Sequence, residues 1–110
     1  MPTEIPREQW PRFLGSFGNE HFGWRVTLQS RRPGRGKLIE VEDSPLQELI
    51  DEQAGNCEQI SIVLGDAQQR HETHVVENPT RVRLCEGSLE IDGRDGTVTV
   101  VSVRAPSVED

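Results

Sequence analysis

The stretch that decides the fold runs from Gln59 to Val82 and reads Q-I-S-I-V-L-G-D-A-Q-Q-R-H-E-T-H-V-V-E-N-P-T-R-V. It opens on the densest β-branched run of the chain. Ile60, Ile62 and Leu64 point to one face of a strand, whereas Val63 points to the other, because successive side chains alternate. Apolar side chains on both faces predict a central strand rather than an edge strand.

A polar connection follows this strand. Residues 66–71 turn the chain back into a short extended segment, residues 73–76, which ends at Asn78-Pro79. Alternating apolar residues and Gly-containing turns then predict three further strands, over residues 81–85, 88–91 and 97–104. In the last of these, a change of parity at Val100-Val101 predicts a bulge or burial on both faces.

The N-terminal part of the chain carries a helical pattern. Four apolar side chains spaced i, i+3, i+4 and i+7 lie on one helical face: Trp10, Phe13, Leu14 and Phe17. The helix begins either near Arg7 or at Trp10, because Pro11 fits only near a helix start. Gly15 and Gly18 weaken the helix by up to ~1 kcal/mol each relative to Ala. We therefore expect the helix to form only with its aromatic face buried.

A hairpin with a basic tip follows the helix. Alternation over residues 23–29 predicts a half-buried strand with Trp24 inward, and residues 38–42 return as the second arm with Ile39 and Val41 inward. The turn between the arms holds four cations in seven residues: Arg31, Arg32, Arg35 and Lys37. This tip is a candidate contact for RNA or for an acidic protein. The alternative is a flexible, soluble loop.

Residues 44–53 fit two structures. Ser44, Pro45 and Gln47 have the form of a helix capping box. Three apolar residues after the cap share a helical face: Leu46, Leu49 and Ile50. The alternative is a strand that turns at residues 54–57 into the central strand. The local pattern favours one or two helical turns.

Length and composition indicate a single domain with a thin core. The chain has 110 residues, of which we assign 1–104 to one domain and 105–110 to a polar tail. Only 33% of the residues are hydrophobic, against about 45–50% in typical globular chains. We predict an α+β domain with one N-terminal amphipathic helix packed on a strongly curled antiparallel sheet or a small, partly open β-barrel.

The charge of the chain is unevenly distributed. The net charge is −7, with +4 on residues 1–37 and −11 on residues 38–110. An acidic bulk disfavours nucleic acid as a partner, because phosphate contacts dominate such binding. No apolar run reaches the ~18 residues of a membrane span, and residues 1–7 lack the apolar core of a signal peptide. These features predict a cytoplasmic protein of bacterial type, with Cys57 and Cys85 as free thiols.

The candidate polar site consists of His74 and Asn78, with the histidine hydrogen-bonded near the Asn-Pro turn. His71 and His74 lie on a strand and point to opposite faces, so they do not share a metal ion without a bulge. Cys57 and Cys85 are flanked by glutamates, which opposes a reactive thiolate. We therefore assign no catalytic residue, no metal ligand and no cofactor.

Short motifs spread along nearly the whole chain point to one family. They are Ile5-Pro6-Arg7, Trp10, Phe13, Phe17, Gly23-Trp24, Val26, Leu28, Ile60-Ser61-Ile62, Leu64-Gly65, His74, Asn78-Pro79, Leu89-Glu90-Ile91 and Asp95-Gly96. With these motifs the chain resembles domain-of-unknown-function family 5335, a family of bacterial proteins. It departs from the family pattern at Gly15, at Gly18 and in the short Glu86-Gly87 connection. The resemblance implies that residues 46–52 are extended, and it implies no activity or site residue.

Together these features predict a small non-enzymatic interaction or accessory module. One alternative is a small enzyme or metal-binding protein that uses His74 with Cys85 or Cys57. Another is binding of RNA or an acidic partner through the basic tip at residues 31–37. Exposed sheet edges and the charge asymmetry also predict a two-fold homodimer whose association weakens with salt.

Overall fold

The computed structural model describes residues 3–65 and 71–106 of the chain. A 3-10 turn, Arg7–Gln9, leads into the helix α1, Trp10–Glu20. One strand precedes the helix and seven follow it. In chain order the strands of the described residues are β1 Thr3–Ile5, β2 Arg25–Arg32, β3 Gly36–Ala54, β4 Cys57–Leu64, β5 Glu72–Glu77, β6 Pro79–Cys85, β7 Ser88–Gly93 and β8 Val98–Arg104. Of the predicted 66–71 connection, residues 66–70 lie outside the described residues, as do residues 107–110 of the predicted tail.

The strands form one antiparallel sheet in the order β1-β6-β7-β8-β2-β3-β4-β5. The long strand β3 serves two neighbours, since residues 36–45 pair with β2 and residues 46–54 pair with β4. β4 lies between β3 and β5, and its inward residues Ile60, Ile62 and Leu64 are fully buried. The prediction of a central strand with a neighbour on each side is confirmed.

The sheet is strongly curled because one residue joins strands from its two halves. Asn78 alone separates β5 from β6, and its φ of +50° turns the chain between them. The Asn78 N–H donates to the Glu58 carbonyl at 2.9 Å, and the Asn78 carbonyl accepts from the Arg94 N–H at 3.0 Å. Within the described residues the curl does not close the sheet into a barrel, because β1 and β5, the two ends of the strand order, do not pair with each other. The predicted α+β fold with a curled antiparallel sheet is confirmed.

Helix α1 covers the concave face of the sheet through its apolar stripe. Trp10, Leu14 and Phe17 are buried, whereas Phe13 is half-buried. The Trp10 Nε1–H donates to the Ile5 carbonyl at 2.9 Å, which ties the helix start to β1. The helix therefore begins at Trp10, one of the two predicted positions. No helix of residues 3–65 and 71–106 is long and apolar enough to cross a bilayer.

The core is a layer of aliphatic side chains between the helix and the sheet. Its buried members on the strands are Ile5, Val26, Leu28, Leu46, Leu49, Ile60, Ile62, Leu64, Val82, Leu89, Ile91 and Val101. In β8, Val100 and Val101 are both buried and the pairing with β2 and β7 runs without a register shift. Burial on both faces, rather than a bulge, therefore explains the change of parity in β8.

Residues 44–53 form a strand, so the local prediction of helical turns is wrong. The Leu46 N–H donates to the Trp24 carbonyl at 2.9 Å, and the Leu46 carbonyl accepts from the Gly23 N–H at 2.8 Å. On the other side, the Gly65 N–H donates to the Pro45 carbonyl at 2.8 Å. These cross-strand bonds satisfy the backbone on both sides, which outweighs a cap worth about 1 kcal/mol. The extended conformation agrees with what the family resemblance implied.

Ile39 is exposed, so the prediction that it faces inward is wrong. Half of its surface is accessible, while Val41 is half-buried against the core as predicted. The pairing of β2 with β3 shifts register between Val26 and Leu28 and again between Leu28 and Gln29. Such irregularities change the parity of facing residues. Beyond the shifts, the arm of β3 that holds Ile39 no longer faces the core.

Candidate functional site

The β2–β3 hairpin tip is a tight turn over residues 33–35. Arg32 pairs with Gly36 at its base, and the Arg35 N–H donates to the Arg32 carbonyl at 3.0 Å. Gly34 and Gly36 have φ values of +75° and +76°, a left-handed region that favours glycine. The turn fixes Arg35 at its end with the side chain exposed to solvent.

Arg31 does not belong to this basic tip, although the sequence placed it there. Its guanidinium is part-buried on the outer face of the sheet and bonds to Glu90 at 3.3 Å. Arg83 reaches the same carboxylate at 3.2 Å, so Glu90 lies between two cations. The candidate cations Arg32, Arg35 and Lys37 are exposed and remain at the tip.

Two aliphatic side chains lie beside these cations on the first arm of β3. Leu38 is 60% exposed and Ile39 is 50% exposed. Among the described residues, no strand pairs with the side of residues 36–43 that faces away from β2. This arm, which we call the free edge, thus combines backbone groups that no described strand pairs with and side chains that are exposed, both aliphatic and charged.

A polar cavity of about 240 Å³ lies at the base of the hairpin, between β2, β3, β5 and the β7–β8 loop. Its charged and titratable lining residues are Arg32, Glu40, His74, Glu77 and Asp95. The Ser30 hydroxyl donates to Glu40 at 2.8 Å, and the Thr97 N–H donates to Asp95 at 3.0 Å. The Thr97 hydrogen bonds and, more weakly, the Arg32 charge hold the pKa of Asp95 below its usual value.

The structure thus joins the predicted residue His74 to the predicted tip residue Arg32. It does not join His74 to Asn78 in this cavity, whose lining includes His74 and not Asn78. Instead, the backbone of Asn78 forms the β5–β6 corner described above. The cavity was not predictable from any local motif, because five strands that are distant in sequence supply its lining.

A depression of about 610 Å³, which we call the large depression, lies between α1 and the β6–β7 turn. Its apolar lining comes from Phe13, Phe17, Leu84 and Val103, with His21 and Cys85 among the polar residues. His21 packs on the Phe17 ring with centroids 4.2 Å apart, and its Nδ1 lies 2.8 Å from the Phe17 carbonyl oxygen. The sequence reasoning missed His21, which a continuation of the apolar stripe by four residues from Phe17 would have found.

The structure does not bring His74 together with either cysteine. Cys85 lines the large depression, and His74 lines the polar cavity. Cys57 is exposed at the start of β4. Burial, followed by the nearby Glu90 carboxylate, raises the pKa of Cys85. A raised pKa lowers the thiolate fraction at neutral pH. Within residues 3–65 and 71–106, no three His, Cys, Asp or Glu side chains are grouped as a metal site requires.

A carboxyl pair at the start of the helix also escaped the sequence reasoning. Glu58 accepts a hydrogen bond from Arg7, whose guanidinium lies 4.7 Å from the Trp10 ring centroid. The Asp51 Oδ1 is buried and without a hydrogen-bond partner among the described residues. Burial and the neighbouring Glu58 carboxyl raise the pKa of Asp51 to about 6. The pair was hidden because Asp51 lay in the segment predicted to be helical.

Comparisons with known proteins identify no relative of this chain. The resemblance to domain-of-unknown-function family 5335 therefore stays a prediction. No family model, curated protein sequence or solved structure matches the chain.

Proposed function

We propose that the protein is a non-enzymatic interaction module of the cytoplasm whose binding element is the β2–β3 hairpin. The observation that carries the proposal is the free edge, where exposed Leu38 and Ile39 lie on backbone that no strand of the described residues pairs with. The partner is an extended segment that adds to this edge as a further strand. Its acidic side chains meet Arg35 and Lys37 at the tip.

Strand addition fits the energetics of this surface. Exposed edges present rows of unpaired N–H and C=O groups, and peptides that add to them gain main-chain hydrogen bonds. Fully burying a Leu or Ile contributes about 1.5–3 kcal/mol, so covering the exposed halves of Leu38 and Ile39 contributes about 1 kcal/mol each. The tip cations add contact-range attraction that salt screens.

The polar cavity supports a positioning role better than a catalytic one. Two of its three carboxylates are already engaged, Glu40 by the Ser30 hydroxyl and Asp95 by the Thr97 N–H. Arg32 connects the cavity to the hairpin tip. The pairing of residues 36–45 with β2 keeps the free edge extended.

A labelled peptide of alternating Val and Glu tests the proposal by fluorescence anisotropy. We expect saturable binding that is lost in the Leu38→Asp/Ile39→Asp variant. The matched control is Phe22→Asp, because Phe22 is 61% exposed and lies outside the hairpin. A peptide N-methylated at alternate amides should bind much more weakly, since it cannot hydrogen-bond to a strand edge.

Two results would overturn the proposal. Equal binding of the N-methylated and unmodified peptides would mean that charge alone attracts the peptide. Binding of single-stranded RNA without binding of the peptide, lost on Arg35→Glu/Lys37→Glu reversal, would assign the tip to nucleic acid instead.

A further inference from the structure

We propose that the large depression binds a small organic cation, an apolar ring system that carries an ammonium group. The apolar walls of the depression take the ring system. Two carboxylates take the ammonium group, Glu20 at the end of α1 and Glu86 in the β6–β7 turn. The site shares no residue with the free edge of β3, so its ligand is independent of the strand-addition partner.

The packing of α1 leaves this depression open. The helix packs mainly on β3. On the far side of the helix, Leu84 of β6 and Val103 of β8 are only partly buried, because the depression separates them from the helix. Phe13 is half-buried and faces the same space. The volume of about 610 Å³ lies within the range of about 300–1,000 Å³ that is typical of small-molecule sites.

Aromatic rings form the helix side of the depression. The ring centroids of Phe13 and Phe17 are 5.9 Å apart, and the His21 ring packs on Phe17. Aromatic faces attract both other rings and cations. The His21 Nδ1 donates to the Phe17 carbonyl, since a carbonyl oxygen only accepts. In the neutral imidazole Nε2 is therefore an acceptor, which fits an ammonium donor better than a carboxylate.

The charge of the lining selects a cation over an anion. The described residues that line the depression include Glu20 and Glu86 and contain no Lys or Arg. Within the described residues neither carboxylate forms an ion pair, whereas Glu58, Glu90 and Asp92 are each paired with an arginine. An ammonium group at this site gains two carboxylate partners, and a carboxylate at the same place meets two like charges.

Four related compounds test this selectivity by equilibrium dialysis at neutral pH. Naphthylethylamine has both the rings and the ammonium group, naphthylethanol lacks the charge, naphthylacetic acid reverses it, and ethylamine lacks the rings. We expect naphthylethylamine to bind about fivefold more tightly than the alcohol, the upper end for an exposed ion pair, and more than tenfold more tightly than the acid. Ethylamine should not bind measurably. Equal binding of the amine and the acid, or no binding of the amine, would overturn the proposal.

Charge variants test the role of the two carboxylates. Glu20→Gln/Glu86→Gln should abolish the preference for the amine over the alcohol. Glu8→Gln/Glu48→Gln is the matched control, because both residues are exposed, lie outside the depression and change the net charge by the same amount. A preference that survives in the first variant, or that is lost equally in the control, would overturn the proposal.

The cysteines locate the bound amine. Cys85 lines the depression, whereas Cys57 is exposed at the start of β4. Saturating naphthylethylamine should slow maleimide labelling of Cys85 about fivefold or more in the Cys57→Ser variant. It should leave the labelling of Cys57 unchanged in the Cys85→Ser variant. Binding of the amine without protection of Cys85 would place the ligand elsewhere and would overturn the proposal.

Discussion

Gly18 of α1 lies so close to β3 that a Cβ on it would stand 3.3 Å from the backbone nitrogen of Leu49. The helix and the strand therefore approach each other at a point where only glycine fits without displacement. Gly15, one turn earlier, has no atom within 4 Å of its virtual Cβ. The two glycines, which the sequence reasoning treated alike, thus have different roles.

The two glycines give a matched pair of substitutions. We expect Gly15→Ala to stabilise the protein by about 0.5–1 kcal/mol, because alanine has the higher helix propensity and meets open space. Gly18→Ala should destabilise it by about 1 kcal/mol, since the paired backbone of β3 cannot move away. Urea denaturation measures both values. Equal effects of the two substitutions would contradict the close contact with Leu49.

The aromatic residues of the helix should differ in their contribution to stability. Trp10→Ala should lower the free energy of unfolding by about 3–5 kcal/mol, because the ring is buried. Trp10→Phe should lower it by about 1–2 kcal/mol through loss of the hydrogen bond to the Ile5 carbonyl. Phe13→Ala should lower it by only about 1–2 kcal/mol, since Phe13 is half-buried at the rim of the large depression. Chemical denaturation would contradict this order if Phe13→Ala were as damaging as Trp10→Ala.

The sequence predicted the parts of the fold that depend on local periodicity. The spacing of Trp10, Phe13, Leu14 and Phe17 identified the helix face, and the alternation in β4 identified its buried residues. Residues 44–53 were misassigned because a capping box is a local signal, whereas the bonds of Leu46 to Gly23 and Trp24 are non-local. Register shifts in β2–β3 left Ile39 exposed, and no pattern in the sequence reports such shifts.

The candidate site was predictable only in fragments. The cluster of cations in the β2–β3 turn was visible in the sequence, as was His74. Arg32 and His74 line one cavity because the curl of the sheet brings β5 close to the hairpin. Arg31 was misplaced because Glu90, its partner, lies 59 positions away in the chain.

Asp51 should make stability depend on pH. Its pKa of about 6 lies above the ordinary value of 3.8, so the folded state binds the proton more tightly than the unfolded state. The free energy of unfolding should therefore fall as pH rises from about 4 to 6 and should change little above 6 through this group. The effect is about 1 kcal/mol once solvent screening around the partly exposed carboxyl is considered.

Asp51→Asn should remove this dependence and raise stability at pH 7 by a similar amount. Thermal unfolding between pH 4 and pH 8 measures both effects. Glu48→Gln removes one charge from the same strand at an exposed position and should leave the slope unchanged. A lower Tm of Asp51→Asn at pH 7 would contradict the raised pKa.

Glu90 should be important for stability although it lies on the outer face of the sheet. It accepts a hydrogen bond from Arg31 and forms an ion pair with Arg83. The Nε atoms of both arginines are buried without a hydrogen-bond partner among the described residues. Glu90→Ala should therefore destabilise the protein by about 1–3 kcal/mol, because it leaves the part-buried Arg31 without its carboxylate partner, whereas Arg83 keeps its ion pair with Asp92. Glu86→Ala, at an exposed position near the turn, should be nearly neutral. Equal denaturation midpoints for the two variants would contradict a structural role of Glu90.

The two thiols should react at different rates. Cys57 is exposed, whereas Cys85 is half-buried and has a raised pKa because of burial and Glu90. At pH 7.5 we expect a maleimide to label Cys57→Ser more slowly than Cys85→Ser, because only Cys85 remains in the first variant. Mass spectrometry of the time course measures both rates. Faster labelling of Cys85 would indicate that the large depression opens readily.

The pairing of β2 with β8 has a consequence for how the protein folds. Arg25 pairs with Arg104 and Arg31 pairs with Val98, so β2 cannot complete its pairing until β8 has been synthesised. During synthesis β2 leaves the ribosome long before β8 exists, and one side of its ladder stays unsatisfied in the meantime. Such long-range pairing slows folding to about milliseconds to seconds in small β-rich domains. Until β8 emerges, the unpaired side of β2 can therefore associate with other chains, and chaperones are most needed during this interval.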